Sequence, residues 1–238
     1  MKVIILAGGL GTRLAEETTN KPKSMVEING NPMLWHIMKI YQSYMQCEFI
    51  IATGYLSEVI EEYLTSDRFT KEGISAKVLF TGAESSTGGR VRLAMASCPG
   101  ERVMVTYGDG VSDVNIQSTL TFHEAHKKLA TITAVHPTAR FGRLEIEGDQ
   151  VTNFSEKPQS EEGWINGGFF VFEPEVANFI ESDLQPLEHD PLKNLSATNN
   201  LMAYKHPGFW QPMDTLREKL DLCKLVESGD APWMRNFK

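Results

Sequence analysis

The 238-residue sequence has little of what marks several classes of protein. Its three cysteines, Cys47, Cys98 and Cys223, form no C-x-x-C pair, so we expect neither a disulfide framework nor a cysteine metal site. This pattern is typical of a reducing compartment, and we expect a cytoplasmic protein. No apolar run approaches the length of a membrane span. Lys and Arg number 23 against 31 Asp and Glu, which argues against a nucleic-acid-binding role.

Two familiar phosphate-binding motifs are also missing. A P-loop requires G-x-x-x-x-G-K-[ST], and no Gly-Lys-Ser or Gly-Lys-Thr occurs in the sequence. A dinucleotide fingerprint requires G-x-G-x-x-G, but Leu14 stands at the place of the third glycine. The next strand-like run, residues 48–52, is too distant to supply the acid that binds the ribose. Any phosphate site near the N-terminus must therefore be of another type.

What the sequence does contain is a short apolar strand, residues 3–6, followed by a glycine-rich stretch that ends in Arg13. We call residues 8–13 the glycine loop. Its glycines allow the backbone to approach a ligand closely, and successive free N–H groups in such a turn bind anions. Arg13 and the nearby Lys23 add two cations, which makes a polyphosphate the expected guest. The alternative is an ordinary tight connection between a strand and a helix.

The order of the elements predicts the fold class. Strands, loops and helices alternate through about residue 130, which is typical of an α/β protein with a mainly parallel, mixed sheet flanked by helices. Ligands of such sheets bind beyond the carboxyl ends of the strands. We expect a single domain over residues 1–238, with residues 206–238 packed on it as a C-terminal segment. The predicted strands include residues 3–6, 49–52, 76–80, 103–107, 130–135 and 165–172, and the predicted helices include 32–45, 115–128 and 214–227.

Two aspartates are candidates for a metal site. Asp109 lies between two glycines after an apolar strand, where a carboxylate is well placed to hold Mg²⁺. A turn aspartate is the alternative. Asp214 is the candidate second ligand, and its alternative role is the N-cap of the last helix.

Three further residues are candidates for binding a sugar phosphate. Glu156 and Lys157 pair an acid with a cation after a strand, which suits a sugar hydroxyl and a phosphate but is also compatible with a solvated turn. Asn166 precedes two glycines inside an apolar run. Glycines at such positions indicate close approach by a ligand or by another backbone.

Taken together, these residues carry a resemblance to a known family. The chain resembles the sugar-1-phosphate nucleotidyltransferases, or NDP-sugar pyrophosphorylases, and within that group the glucose-1-phosphate cytidylyltransferases. One departure is Ser24, where the family has a second proline after the Lys-Pro-Lys motif. The matching segments follow the family order along nearly the whole chain: residues 6–14, 21–23, 34–39, 87–90, 106–111, 140–142, 165–170 and 208–217.

The resemblance implies a Rossmann-like domain of the nucleotide-diphospho-sugar transferase type and a Mg²⁺-dependent reaction. In that reaction a sugar 1-phosphate attacks the α-phosphorus of an NTP, here CTP, to give a CDP-sugar and pyrophosphate. It also implies a homo-oligomer and a place in polysaccharide or modified-sugar synthesis. By similarity, Arg13, Lys23 and Asp109 are catalytic and Asp109 and Asp214 bind the metal. The implied nucleotide-binding residues are Leu6, Ala7, Gly8, Gly9, Gly11, Thr12, Arg13, Lys23, Thr87, Arg92 and Gly108, and the implied sugar-phosphate-binding residues are Gly142, Glu156, Lys157 and Asn166.

Two alternatives remain open from the sequence. The first keeps the chemistry but uses dTTP or UTP as donor, or a phosphorylated acceptor other than glucose 1-phosphate. The second is a catalytically silent nucleotide-sugar-binding protein, because a fold does not guarantee activity. Loss of a metal carboxylate or of Lys23 is the expected signature of a silent protein, and all three residues are present.

Overall fold

The structure, a computed structural model, describes residues 1–137, 143–155 and 163–237. None of the helices in these ranges has both the length and the apolar character that a membrane span requires. The strands are β1 Lys2–Ala7, β2 Glu27–Ile28, β3 Asn31–Pro32, β4 Glu48–Thr53, β5 Ser75–Phe80, β6 Val103–Tyr107, β7 Gly110–Ser112, β8 Ala130–Val135, β9 Arg143–Glu147, β10 Gln150–Ser155, β11 Ile165–Asn166, β12 Phe170–Phe172, β13 Leu201–His206 and β14 Trp210–Pro212. The helices are α1 Ala15–Thr18, α2 Met33–Gln42, α3 Ser57–Thr65, α4 Asp67–Thr70, α5 Thr87–Ala96, α6 Ile116–His126, α7 Asp190–Ala197 and α8 Leu216–Glu227, with 3-10 turns at Thr12–Leu14, Lys23–Met25, Pro174–Phe179 and Pro232–Met234.

The main sheet in the described ranges has eight strands in the order β11-β8-β12-β6-β1-β4-β5, with β13 also paired to β8. Strands β6, β1, β4 and β5 run parallel, as do β8 and β13. The short strands β11 and β12 run antiparallel to their neighbours. This confirms the predicted mixed α/β sheet. Since β1 lies between β6 and β4, the glycine loop leaves the centre of the sheet at the carboxyl edge.

Both faces of the sheet are covered, which explains why β1 is apolar at consecutive positions. Val3 and Ile5 point into a core shared with α2, whereas Ile4 and Leu6 point into a second core shared with α5. Burying each such side chain is worth about 1.5–3 kcal/mol. The two cores therefore hold β1 rigidly and give the loop after it a fixed origin.

Three sequence expectations differ from the structure. Helix α8 is capped by Thr215, so Asp214 as its N-cap is wrong: Thr215 and Glu218 form a reciprocal capping box, which satisfies the helix start without Asp214. The predicted strand over residues 165–172 is split into β11 and β12 by Gly167, Gly168 and Phe169. Helix α2 ends at Gln42, three residues before the predicted end.

Candidate active site

A cleft of about 240 Å³ opens at the carboxyl ends of β1 and β6. It brings together residues that are far apart in the sequence, from the glycine loop, the turn at Lys23 and the segment after β6. Nine residues that the sequence had indicated line this cleft: Leu6, Ala7, Gly9, Gly11, Thr12, Arg13, Lys23, Gly108 and Asp109.

Two glycines give the cleft its shape. Gly11 has a φ of 64°, a conformation that L side chains rarely adopt, and its carbonyl accepts from the backbone N–H of Leu14 at 2.9 Å. Gly108 lies directly against β1, because a Cβ at this position would stand 2.6 Å from the carbonyl oxygen of Leu6. Bulkier residues at either position would displace the backbone that surrounds the cleft.

Lys23 joins the two predicted metal-binding aspartates. Its Nζ lies 2.6 Å from Oδ2 of Asp109 and also donates to Oδ1 of Asp214. Arg13 approaches the other oxygen of Asp214 at 2.6 Å. Burial acts to lower the pKa of Lys23, but attraction and hydrogen bonds from Asp109 and Asp214 outweigh burial, and the pKa is raised. Lys23 is therefore a firmly charged ammonium group between two carboxylates.

This arrangement fits a divalent cation. Asp109 and Asp214 already converge on one positive charge, and carboxylate and phosphate oxygens are the ligands that Mg²⁺ prefers. Within the described residues, no group of three or more His, Cys, Asp or Glu side chains forms a complete metal cage. Two carboxylates beside the glycine loop suit a cation whose remaining ligands would come from a substrate and water.

Arg90, which sequence reasoning did not select, lies behind the glycine loop. Arg90 is 4% exposed, and its guanidinium donates to the carbonyls of Thr53 (2.7 Å), Gly82 (2.9 Å) and Gly8 (3.0 Å). Among the described residues, all its hydrogen-bond acceptors are neutral, and burial lowers its pKa. A buried guanidinium without a carboxylate partner adds positive charge next to the loop. A charged residue inside the apolar helix pattern of α5 was the available sequence signal.

Gly8 also faces Arg90 rather than the cleft. A Cβ at Gly8 would lie 2.2 Å from the guanidinium group. Gly8 is thus required for packing of the loop on its support, whereas Gly9 borders the open space in front.

The other predicted residues have partners of their own. Asn166 donates to the hydroxyl of Tyr107 at 2.9 Å, which brings it to the edge of the cleft. Thr87 donates to Glu188 at 2.6 Å, and Arg92 pairs with Asp183. Thr87 and Arg92 therefore contact the segment before α7 in the structure. Gly142, Glu156 and Lys157 lie outside the described residues.

Comparison with known proteins defines the class first. A family model described as nucleotidyl transferase matches residues 2–211. The chain belongs to this nucleotidyl transferase family and is an enzyme of the nucleotidyltransferase class. The family predicted from the sequence is thereby confirmed.

Individual proteins within this family and among solved structures are also similar to the chain. The chain is 47% identical to the glucose-1-phosphate cytidylyltransferase of Salmonella typhi, with 98% of each chain covered. It is 38% identical to a Bacillus subtilis protein named probable glucose-1-phosphate cytidylyltransferase, covering 98% of this chain and 99% of that protein. A crystal structure of UDP-glucose pyrophosphorylase complexed with UDP-glucose matches with a TM-score of 0.73 at 16% identity, covering 96% and 98% of the two chains. That structural match supports the Rossmann-like fold alone.

Proposed function

We propose that this enzyme transfers the cytidylyl group of CTP to glucose 1-phosphate, giving CDP-glucose and pyrophosphate. The observation that carries the proposal is the convergence of Lys23, Asp109 and Asp214 at the cleft formed by the glycine loop. The full-length similarity to named glucose-1-phosphate cytidylyltransferases supports the choice of donor and acceptor.

In this proposal the residues act by positioning and by neutralising charge. The backbone of the glycine loop and Arg13 bind the triphosphate, and Arg90 supports that loop from behind. A phosphate oxygen of the sugar 1-phosphate attacks the α-phosphorus in line, and the bond between the α- and β-phosphates breaks to release pyrophosphate. Lys23 stays charged and offsets the negative charge that develops around the reacting phosphates. Asp109 and Asp214 hold Mg²⁺, which when bound supplies further charge stabilisation.

Several assignments belong to this proposal. The nucleotide is bound in part by Thr87, Arg92 and Gly108. The sugar phosphate is bound by Gly142, Glu156, Lys157 and Asn166. We also propose that residues 206–238 pack on a single domain, that the enzyme is a cytoplasmic homo-oligomer, and that its product is used in polysaccharide synthesis.

The test is an assay of purified protein with Mg²⁺ and five donors, CTP, UTP, dTTP, ATP and GTP, each against a panel of sugar 1-phosphates. Pyrophosphate release is the measurement, and a reaction with EDTA in place of Mg²⁺ is the control. We expect CTP with glucose 1-phosphate to give the highest kcat/KM. Faster turnover of dTTP or UTP, or of another acceptor, favours the first alternative, and no turnover with any pair favours a silent binding protein.

A further inference from the structure

Glu188, two residues before α7, connects the start of α5 to the end of β6, where Tyr107 lines the cleft. Its Oε2 accepts from the hydroxyl of Thr87, the first residue of α5, at 2.6 Å. Its Oε1 accepts from the hydroxyl of Tyr107, the last residue of β6, also at 2.6 Å. A single carboxylate thus joins the start of a helix to the end of a central strand.

Tyr107 in turn contacts Asn166, the residue that we propose binds the sugar phosphate. Its hydroxyl oxygen accepts from Nδ2 of Asn166 at 2.9 Å, and Oδ1 of Asn166 accepts from the backbone N–H of Gly168 at 2.8 Å. Burial raises the pKa of Tyr107, and the Glu188 carboxylate raises it further, so the phenol stays protonated.

Glu188, Tyr107, Asn166 and Gly168 are linked by consecutive hydrogen bonds, and the groups at the two ends determine the direction of each bond. The carboxylate of Glu188 can only accept, and the N–H of Gly168 can only donate. Tyr107 must therefore donate to Glu188 and accept from Asn166. The amide of Asn166 then has one possible orientation, which leaves its second N–H as a donor for a ligand.

The backbone before Glu188 is held closely against α5. The N–H of Ser86 donates to the carbonyl of Asp183 at 2.8 Å, and the N–H of Leu187 donates to Oγ1 of Thr87 at 2.9 Å. A Cβ at Gly89 would stand 2.1 Å from the carbonyl oxygen of Asp183. Glycine in the first turn of α5 therefore permits the approach, and Glu188 is placed by its main chain although it is exposed.

We propose that Glu188 is a positioning residue for the acceptor sugar phosphate, acting through Tyr107 to hold Asn166 in a single orientation. The inference rests on the proposed function, in which Asn166 binds that substrate. Glu188 makes its contribution without touching the substrate. It also gives the connection before α7 a role in the reaction.

The test compares steady-state kinetics of the wild type with Glu188→Ala, Glu188→Gln and the control Glu181→Ala. Glu181 is an exposed glutamate in the same connection. We expect Glu188→Ala to raise the KM for the sugar 1-phosphate about tenfold while kcat changes little; the KM for CTP should rise much less, through the lost contact with Thr87. Glu188→Gln keeps a carbonyl oxygen that accepts from Tyr107, so it should recover most of the loss. Glu181→Ala should match the wild type.

If Glu188→Ala does not fold, a second variant tests the same hydrogen bonds between Glu188, Tyr107 and Asn166. Tyr107→Phe leaves residues 183–188 in place and removes only the hydroxyl that contacts Glu188 and Asn166, so it should produce the same selective rise in KM. When Glu188→Ala does fold, adding it to Tyr107→Phe should change the KM little further, because both substitutions break one interaction.

The outcomes separate this inference from the proposed function. An active wild type with an unchanged KM in Glu188→Ala contradicts the role of Glu188 and leaves the proposed function intact. A Glu188→Gln variant as impaired as Glu188→Ala, or a rise in KM equal for both substrates, contradicts it as well. A wild type that turns over no donor and acceptor pair contradicts the proposed function, and this inference with it.

Discussion

At the scale of single residues, the central feature is a balance of charge around Lys23. Asp109 and Asp214 lie 86 and 191 positions away from it in the sequence, yet both contact its ammonium group. Arg13 adds a second cation at Asp214. The site thus holds two cations and two carboxylates before any substrate binds, and in the proposed reaction a triphosphate and a metal ion would change that balance together.

The metal assignment predicts the effect of removing either carboxylate. Asp109→Asn and Asp214→Asn should each lower kcat by several orders of magnitude, because a neutral amide is a poor ligand for Mg²⁺ and stabilisation of the reacting phosphates is lost. Pyrophosphate release at a series of Mg²⁺ concentrations is the measurement. Asp221→Asn is the matched control and should keep wild-type kinetics, because the half-buried carboxylate of Asp221 pairs with Arg217 and Lys224 within the α8 segment. A rate near that of the wild type in either site variant would mean that the ligand is wrongly assigned.

At the scale of elements, the glycine loop depends on α5 for its position. Arg90 reaches from α5 to the carbonyl of Gly8 and also binds the end of β4 at Thr53. The guanidinium fills the space in which a side chain at Gly8 would have to lie. The loop, a strand end and a helix are therefore held by one buried side chain.

This packing predicts different effects for two neighbouring glycines. Gly8→Ala places a methyl group 2.2 Å from the guanidinium of Arg90, whose displacement would leave buried carbonyls without donors. We expect a loss of about 2–4 kcal/mol in the free energy of unfolding, measured by urea denaturation. Gly9→Ala is the control, since the space at Gly9 is open within the described residues. Equal stability of the two variants would show that Arg90 does not hold the loop as described.

At the scale of the whole molecule, the 3-10 turn Pro232–Met234 near the C-terminus packs on α2 through the buried His36. The indole N–H of Trp233 donates to Nδ1 of His36 at 3.3 Å, while Nε2 of His36 lies 3.2 Å from the carbonyl of Ile28. With Nδ1 accepting, Nε2 carries the proton and donates to Ile28. Burial lowers the pKa of His36 to about 4. The neutral ring is thus part of the folded state.

The lowered pKa predicts that the protein is sensitive to acid. Below pH 6.5 the unfolded chain binds a proton at His36, whereas the folded chain binds one only near pH 4, so stability is lost as the pH falls through this window. The loss from this residue should approach about 3 kcal/mol. Urea denaturation at several pH values should show a shallower dependence in His36→Gln than in the wild type.

The control for this experiment is the exposed histidine His189, whose replacement by Gln should leave the pH dependence unchanged. Some dependence should remain in His36→Gln, because burial also lowers the pKa values of His123 and His126. An unchanged slope in His36→Gln would contradict the predicted role of His36.

The sequence alone determined the features that depend on residues close to one another along the chain. Consecutive apolar positions predicted β1 because a strand covered on both faces reads that way, and glycine, lysine and aspartate motifs predicted the family and the carboxyl edge as the site. Local pattern failed where two interpretations of one residue compete. The sequence allowed Asp214 to be either a metal ligand or a helix cap; Thr215 and Glu218 provide the cap, and Asp214 contacts Lys23 instead.

Only the tertiary structure decided which distant side chains share a contact. The order β6-β1-β4 brings the ends of strands from separate parts of the chain to one edge, and no local periodicity encodes that pairing. Arg90 and Glu188 were missed for this reason: the first makes its contacts under the glycine loop, and the second bridges Thr87 and Tyr107. A hydrogen bond depends on distance and direction in space, and residues a hundred positions apart acquire these only when the sheet has formed.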